Sequence, residues 1–414
     1  MHSMHSYFTR PSTIRRLCKG TLREYIGHYA TLLKDCGYTR ASARMQIYCV
    51  SNFSRWLERR NIRPATIDEQ TLQRYLAYRR RRKELQRGDA AALQRLLELL
   101  RRMDVVHSKK EQARVSSRAR ATADFGRYLL QERHLSEATL KNYLPIIDLF
   151  LFDRFKDRHI DVSRIQAAHV IEFVQRHAHA LSPKRAQTLV TSLRSFLRYL
   201  LHQGQILTDL AACVPTVPAW SLSTLPKFLP PGAVQKVLSQ CNRQTAAGRR
   251  DYAILLLLAR LGLRAGEVVA LNLGDIDWGA GTITVHGKGG RSAQLPLPND
   301  VGRALAAYLK RDRPPCPSRR VFIRQNAPHN GFANSIAIST LVMRYLRRAG
   351  IDSARKGAHL FRHTLATDLF RQGCSLDEIG ELLRHRSPDT TAIYAKVDLQ
   401  ALRGLALPWP GGAR

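Results

Sequence analysis

The chain has 414 residues, enough for two or three domains that each bury a core of their own. Lys and Arg number 67 against 32 Asp and Glu, and the net charge of +35 predicts an anionic partner or a strongly self-repelling surface, with nucleic acid as the first candidate partner. The longest apolar run, residues 252–259, is too short to span a bilayer, and the N-terminus lacks the apolar segment of an export signal. Composition therefore argues against membrane and exported proteins and favours a cytoplasmic DNA-binding protein.

The seven cysteines are scattered singly along the chain, and no two of them form a C-x-x-C pair. Disulfide frameworks and structural zinc sites both need cysteines at short, repeated spacings. The cysteine pattern therefore predicts reduced thiols in an intracellular protein, without a disulfide or zinc framework.

Residues 21–83 carry apolar side chains at the three- and four-residue spacing of amphipathic helices, and a further helix is predicted at 89–103. The first of these segments ends in five consecutive basic residues: Arg79, Arg80, Arg81, Arg82 and Lys83. Such a run is usually a solvated helix end, but in a chain of this charge it is also a candidate for contact with DNA phosphates. We therefore predict an N-terminal helical DNA-binding module at 1–103, followed by a linker at 104–122.

Residues 123–207 repeat the helical pattern and are predicted to form a second helical domain. Weak internal similarity connects the two blocks: residues 39–42 resemble 136–139 at an offset of 97, and 72–76 resemble 170–174 at an offset of 98. A duplicated module would produce these matches, and so would two unrelated sets of amphipathic helices.

The pattern changes at 208–227, where three prolines predict an extended interdomain linker. Beyond it, at 228–407, helical patterns surround one segment of period two, 282–297, which predicts a β-hairpin with Lys288 in its glycine-rich turn. The chain is therefore expected to be a mainly α multidomain protein, whose C-terminal domain is a mostly helical α+β fold with a small antiparallel sheet.

One stretch in that domain, residues 357–367, begins a predicted helix and contains His359 and Arg362, which are three residues apart and so share a helix face. An imidazole and a guanidinium on one face can offer hydrogen bonds and positive charge to a phosphate. A surface helix of a basic protein can also carry such a pair by chance, and the pair alone favours that structural interpretation.

Three further motifs accompany this stretch in order: A-R-L-G-L-R-A-G-E at 259–267, H-G-K-G-G-R at 286–291, and L-R-H followed by a tyrosine at 383–394. Together the four motifs resemble, in order and spacing, the catalytic domain of the tyrosine recombinases, the phage-integrase family of DNA-breaking and joining enzymes. The resemblance covers residues 225–405.

The resemblance also implies how the domains act. In the family a helical core-binding domain precedes the catalytic domain, and the two clamp duplex DNA; here they would be 123–207 and 228–407. The module at 1–103 would be an additional helical DNA-clamp module. Recombinases of the family work on two DNA sites as tetramers, so a homotetramer is expected on DNA.

Opening a phosphodiester without a metal requires fixed cations at the non-bridging oxygens, which gain charge in the transition state. Arg264 and Arg362 suit this role, because a guanidinium stays protonated and pairs bidentately with phosphate, and the resemblance makes them the two arginines of the active site. Glu267 would orient Arg264, or simply be its partner at a helix start. The resemblance assigns the general acid to Lys288, although an ordinary exposed hairpin lysine would look the same.

Tyr394 is the predicted nucleophile, and its phenol, with an unperturbed pKa of about 10, needs a base or positive surroundings. The resemblance gives His359 the role of proton acceptor and His385 a hydrogen bond to a phosphate oxygen, whereas His363 is expected to play a supporting structural part. Without the preceding motif Tyr394 would look like a packing residue. Arg384 departs from the family, which commonly has glycine there, and adds a candidate phosphate contact.

The resemblance therefore implies a site-specific recombinase or integrase, which cleaves and rejoins DNA through a covalent 3′-phosphotyrosine without metal, ATP or another cofactor. The additional N-terminal module and the strong charge favour an enzyme of a mobile element, and a role in host maintenance, such as the resolution of chromosome dimers, stays open. The residues leave three alternatives open. A metal-dependent nuclease could use His359, His363 and His385 as ligands. The same fold could also belong to an inactive DNA-binding protein, or to a monomeric topoisomerase with the same residues.

Overall fold

The computed structural model describes residues 2–106, 116–156, 158–217, 228–287, 292–352, 357–385 and 387–395. The chain divides into two compact units, one formed by Met1–Ser108 with Thr224–Arg414 and the other by Lys109–Ser223. Within the described ranges the chain is mainly α-helical with one three-stranded antiparallel sheet, which confirms the predicted fold class. No helix in these ranges is long and apolar enough to cross a membrane.

The N-terminal part of the first unit is a set of helices around one apolar core. These helices are α1 (His2–His5), α2 (Pro11–Leu17), α3 (Ile26–Asp35), α4 (Arg40–Glu58), α5 (Glu69–Arg81) and α6 (Asp89–Arg102). Phe53, Trp56 and Tyr75 pack ring against ring in this core, with Phe53 and Tyr75 centroids 4.9 Å apart. Tyr29 is fully buried and its hydroxyl donates to the Ala92 carbonyl oxygen at 3.1 Å, which joins α3 to α6.

The basic run at the end of α5 has a buried part and an exposed part. The Arg79 side chain is only 9% exposed; its Nη1 lies 2.9 Å from Oδ2 of Asp89, and its Nη2 donates to the Glu84 carbonyl at 2.6 Å. The charge of Arg79 is therefore paired inside the module, so its predicted contact with DNA would require this ion pair to open and stays a prediction. Residues 80–83 are exposed, and their contact with DNA stays a prediction.

The second unit has a core to which each of its helices contributes. The helices are α7 (Ser117–Gln131), α8 (Glu137–Phe155), α9 (Ala167–Ala178) and α10 (Pro183–His202). Helix α7 begins inside the predicted linker at 104–122, where Ser116 Oγ accepts a hydrogen bond from the Ala119 N–H at 3.2 Å. The end of that predicted linker is therefore helical, because a capping serine starts the helix earlier than the apolar pattern indicates.

The predicted linker at 208–227 is also shorter than expected. Leu210, Ala211 and Val214 are buried in the core of the second unit, so the beginning of this segment packs as part of that unit. Residues 218–227 lie outside the described residues, as do 107–115 of the first predicted linker.

The order of elements in the N-terminal part is repeated in the second unit. Helices α4 and α8 both have 19 residues, and each begins after a hydroxyl residue, Thr39 or Ser136, whose side chain accepts from the N–H three residues on. A short 3₁₀ turn follows each of them, Pro64–Thr66 and Val162–Arg164, and then α5 and α9. The repeated order agrees with the internal similarity of the sequence.

The C-terminal part of the first unit carries the remaining helices and the sheet. The helices are α11 (Ala233–Ser239), α12 (Ala246–Arg260), α13 (Ala265–Ala270), α14 (Asn299–Arg311), α15 (Ser335–Arg348), α16 (His359–Arg371), α17 (Leu376–Leu383) and α18 (Pro388–Ala392). The strands are β1 (Ile276–Asp277), β2 (Thr282–His286) and β3 (Ser292–Pro296), in the order β1-β2-β3. Ile283 pairs with Leu295, which confirms the predicted hairpin; Lys288, in its turn, lies outside the described residues.

Helix α12 is the central element of this part. Its run 253–258 is buried on all sides because the leucines and isoleucine there pack in a core that extends from Leu229 to Phe361. Helix α16 leaves that core after Phe361 and contributes Ala366 to a smaller core with Ile379, Leu383 and Tyr394. The turn after α12, the start of α16 and the end of α17 therefore meet where the two cores adjoin.

The N-terminal and C-terminal parts of the first unit touch through a short contact. The Cys36 carbonyl accepts a hydrogen bond from the His329 N–H at 3.0 Å, and a Cβ on Gly37 would overlap the His329 ring. This contact lies between segments that the sequence assigns to separate domains.

A helical glycine tests the packing of α12. A Cβ at Gly248 would lie 1.8 Å from the Asn242 carbonyl oxygen, so Gly248→Ala should lower the free energy of unfolding by about 2–4 kcal/mol. Gly302→Ala in α14 is the control, because its Cβ would meet Leu297 at an ordinary 3.6 Å and should be neutral or stabilising. Urea unfolding followed by circular dichroism measures both, and equal effects would contradict the expectation.

Candidate active site

Arg264 is fixed at the start of α13 by one carboxylate. Glu267, at the third position of the helix, accepts the Arg264 backbone N–H at Oε2 (2.8 Å) and the guanidinium Nη1 at Oε1 (2.7 Å). The Glu267 side chain is 4% exposed, whereas that of Arg264 is 39% exposed. Glu267 therefore contacts Arg264 from the protein side and leaves part of the guanidinium open to a ligand. The same carboxylate is the partner of Arg264 at the helix start and is placed to orient it.

Arg362, the fourth residue of α16, is 4% exposed and joins two distant helix ends. Its Nη1 donates to the Gly262 carbonyl at 2.6 Å, and its Nη2 donates to the Leu383 carbonyl. Among the described residues no carboxylate lies within ion-pair distance of this guanidinium. Burial, with Arg264 and Arg384 nearby, lowers the pKa of Arg362 to about 9, so the group stays charged at neutral pH at a cost that an anion would relieve.

Arg384 contacts Glu267, and the sequence motifs did not predict this contact. Arg384 ends α17 in the left-handed conformation, with φ 55° and ψ 51°, which explains why glycine suits this position in the family. Its Nη2 donates to Oε2 of Glu267 at 3.1 Å, and its side chain is 14% exposed. The only sequence signal for this contact was the departure from glycine itself.

His385 follows at once and is held by Thr391, which the sequence analysis missed. Nδ1 of His385 lies 2.7 Å from Oγ1 of Thr391, and Thr391 is 2% exposed. Burial, then the charges of Arg362 and Arg264, lower the pKa of His385 to about 4. The imidazole is therefore neutral at physiological pH and can serve as a hydrogen-bonding group without carrying charge.

Tyr394 is 1% exposed and lies between two histidines. Its ring is parallel to that of His385, with centroids 6.4 Å apart, and its hydroxyl oxygen lies 2.8 Å from Nδ1 of His363. Burial raises the pKa of Tyr394 to about 12, against the opposing effect of the Arg362 charge. At neutral pH the phenol is protonated, so a nucleophilic role requires a proton acceptor in contact with it.

Six of the candidate site residues from the sequence lie close together in the structure: Arg264, Glu267, Arg362, His363, His385 and Tyr394. Arg362 contacts the turn before Arg264, Arg264 contacts Glu267, and Tyr394 contacts His363 and stacks on His385. His359 is the exposed first residue of α16. The expected proton acceptor was His359, but the residue on the hydroxyl is His363.

The histidines were also the ligands of the nuclease alternative. Nδ1 of His363 faces the Tyr394 hydroxyl, and Nδ1 of His385 faces Thr391. In the described part of the chain no group of three or more His, Cys, Asp or Glu side chains is arranged to hold a metal ion. The geometry of these residues therefore does not support a metal site. The guanidinium groups of Arg264, Arg362 and Arg384 favour the binding of an anion instead.

Comparison with known proteins agrees with this class of site. The profile of the Phage integrase family matches residues 227–401, and that of the phage integrase N-terminal SAM-like domain matches 122–204. An integrase/recombinase of Sinorhizobium fredii (strain NBRC 101917 / NGR234), y4rA, is 47% identical over 397 residues, which are 96% of either chain. Tyrosine recombinase XerD of Listeria monocytogenes serovar 1/2a is 30% identical over 66% of this chain and 93% of its own.

Solved structures give the same fold. The XerH site-specific recombinase, bound to a palindromic difH substrate after cleavage, aligns with a TM-score of 0.56 at 21% identity, over 72% of this chain and 90% of its own. The Tn1549 transposon integrase aligns with a TM-score of 0.51 at 16% identity, over 69% and 98%. The chain therefore belongs to the phage integrase family of tyrosine recombinases. It is a DNA recombinase, an enzyme that cleaves and rejoins DNA strands, and DNA is its partner.

The depressed pKa of His385 predicts how stability depends on pH. The folded protein binds this proton with a pKa of about 4, against 6.5 for the ordinary group, so the unfolded chain takes the proton first as pH falls. The contribution of His385 is complete above pH 6.5 and is lost as pH falls towards 4. We expect wild type to lose about 1–3 kcal/mol more than His385→Asn between neutral pH and pH 4. Equal losses in urea unfolding would contradict this origin of the shift.

Proposed function

We propose that the enzyme cleaves DNA by attack of the Tyr394 hydroxyl on a phosphodiester, forming a covalent 3′-phosphotyrosine and releasing a 5′-hydroxyl. The observation that carries the proposal is the position of this phenol, beside His385 and in a site whose positive charge comes from Arg362 and Arg264. A partner strand's 5′-hydroxyl would reverse the step, so that joining needs no ATP and no external nucleotide.

The cationic groups support the transition state of such an attack. Arg362 is buried without a carboxylate among the described residues, and Arg264 is held by Glu267 with part of its guanidinium open. Both can donate to the non-bridging oxygens as charge develops there, and their positions are set before the substrate arrives. The neutral His385 can donate from its free ring nitrogen when Nδ1 accepts from Thr391.

The proton of the phenol needs an acceptor, and the contact with His363 supplies one. When Nδ1 of His363 is unprotonated, the Tyr394 hydroxyl donates to it at 2.8 Å, the distance of a general-base pair. Arg362 helps in the same direction, because its charge stabilises a phenolate. His363 thus takes the role of proton acceptor in this proposal, and His359, at the exposed helix start, a role towards the DNA.

The leaving 5′-oxygen needs a proton in return. Lys288 stays the proposed general acid, because the family resemblance assigns that role to the lysine of this motif. The proposal needs no metal and no other cofactor. On DNA we expect a homotetramer that synapses two sites, with the helical modules at 1–103 and 123–207 clamping the duplex beside the catalytic domain.

One relative supports a role in DNA integration. The matching protein y4rA, which is 47% identical along nearly the whole chain, is named as an integrase/recombinase. The additional N-terminal module, which repeats the order of elements in the second unit, would extend the DNA footprint of such an integrase. Residues 80–83, exposed at the end of α5, are its proposed phosphate contacts.

The nucleophile is tested with duplex DNA selected for binding from a random pool and nicked so that the cleaved fragment diffuses away. Wild type should form a denaturant-resistant protein–DNA adduct in EDTA, and Tyr394→Phe should form none while binding the DNA equally well. If Tyr394→Phe also forms an adduct, the nucleophile is a residue other than Tyr394. Cleavage that stops in EDTA would instead favour the metal-dependent nuclease, and tight binding with no adduct the inactive DNA-binding protein.

The proton acceptor is tested by matched substitutions on one helix. With the same nicked DNA, His363→Ala should slow adduct formation by about 10²-fold or more, because a positioned base contributes that much. His359→Ala should have the smaller effect, and raising the pH should recover more of the rate for His363→Ala, since hydroxide then replaces the lost acceptor. If His359→Ala slows adduct formation more than His363→Ala does, the proton acceptor is His359, as the family resemblance implies.

A further inference from the structure

Arg384 occupies a position for which its side chain is poorly suited unless it has a function. A residue with a Cβ in the left-handed conformation costs roughly 1 kcal/mol that glycine avoids, and Arg384 has φ 55° and ψ 51°. The same backbone turn would form with glycine, because its hydrogen bonds run from the Arg384 N–H to carbonyl groups of α17. The side chain, not the turn, must therefore account for an arginine here.

The side chain contacts the carboxylate that orients Arg264. Glu267 Oε1 accepts from Arg264, while Oε2 accepts from both the Arg264 backbone N–H and Arg384 Nη2. Arg264 Nη2 in turn lies 3.5 Å from the Arg384 carbonyl oxygen. Arg384 thus connects the end of α17 to the start of α13 through Glu267, across 117 residues of sequence.

The contact also changes the charge of the site. Arg264, Arg362 and Arg384 supply three guanidinium groups against the single carboxylate of Glu267, and the Glu267 side chain is 4% exposed. With glycine in place of Arg384, the carboxylate would neutralise Arg264 more fully. By sharing Glu267, Arg384 leaves the pair of phosphate-binding arginines with more net positive charge.

A buried donor of Arg384, its Nε–H, has no hydrogen-bond partner among the described residues. Nη1 of Arg384 donates to the Leu382 carbonyl at 3.2 Å and its Nη2 to Glu267. A buried donor without a partner costs free energy that an acceptor would recover. A phosphate bound by Arg362 and Arg264 brings acceptor oxygens to this cluster.

We propose that Arg384 is a positioning residue of the active site, which holds Glu267 and through it Arg264, and which raises the affinity of the site for the scissile phosphate. The proposal rests on the proposed function for its effect on cleavage, but its effect on phosphate binding is independent of chemistry. We therefore expect phosphate binding and cleavage to depend on the Arg384 side chain, although glycine would allow the same backbone turn.

The test uses the full chain, the nicked duplex described above, and inorganic phosphate as a second probe. Arg384→Gly keeps the backbone turn and removes the guanidinium, so it should fold at least as stably and form the covalent adduct about 10- to 100-fold more slowly. Added guanidinium ion should restore part of that rate, and Arg384→Lys should be intermediate. Arg303→Gln, an exposed arginine of α14 outside the site, controls for the loss of one charge and should react like wild type.

A thermodynamic measurement separates this proposal from the proposed function. Inorganic phosphate should raise the melting temperature of wild type more than chloride does at equal ionic strength, and the difference should shrink in Arg384→Gly. If wild type forms no adduct but this difference shrinks, the proposed function fails and the role of Arg384 stands. Arg384→Gly that reacts and binds phosphate like wild type overturns the role, as does a rate loss that neither guanidinium nor lysine restores.

Glu267 supplies a double-mutant cycle. If Arg384 acts through Glu267, then Glu267→Gln and Arg384→Gly should not add: the double variant should react about as slowly as the slower single variant. Fully additive losses would show that Arg384 acts on its own and would overturn the positioning role.

Discussion

The catalytic part of this chain depends on one buried charge. Arg362 is 4% exposed, and its hydrogen bonds go to carbonyl oxygens at the turn after α12 and the end of α17. Carbonyl dipoles hold the guanidinium in place, but they do not neutralise it, and burial of an uncompensated charge is costly. The buried positive charge therefore favours an anion at this place, and the phosphodiester of DNA is the anion that this enzyme family cleaves.

The same charge sets the protonation of its neighbours. It contributes to the low pKa of His385, so that the imidazole beside the phosphate site is neutral, and it opposes the rise that burial causes in the pKa of Tyr394. The charge of Arg362 thus favours a neutral His385, and it offsets part of the effect by which burial keeps the Tyr394 phenol protonated. Both effects would serve the proposed attack by Tyr394, because the attacking oxygen must lose its proton while the phosphate gains charge.

The helices and the hairpin could be predicted from sequence because their signals are local. Apolar spacing within α5 or α12, and alternation within β2 and β3, depend on neighbours a few residues away. Helix starts set by a capping side chain were harder, and α7 begins earlier than its apolar pattern indicates because Ser116 caps it. The surroundings of Arg79 also depend on tertiary structure: its ion-pair partner Asp89 lies on the next helix, and the sequence pattern does not show this pairing.

Sequence alone determined which chemistry the chain carries, since the order of its four motifs selects the residue types of a tyrosine recombinase. Only the tertiary structure decided which side chains meet. His359 and His363 lie on one helix four residues apart, and the packing of that helix against the chain near Tyr394 brings His363 to the Tyr394 hydroxyl. Likewise, the sequence shows Arg384 only as a departure from the glycine of the family, and the contact with Glu267 exists only in the folded chain. The physical reason is that hydrogen bonds act over about 3 Å, and such distances between remote segments are set by the packing of whole helices.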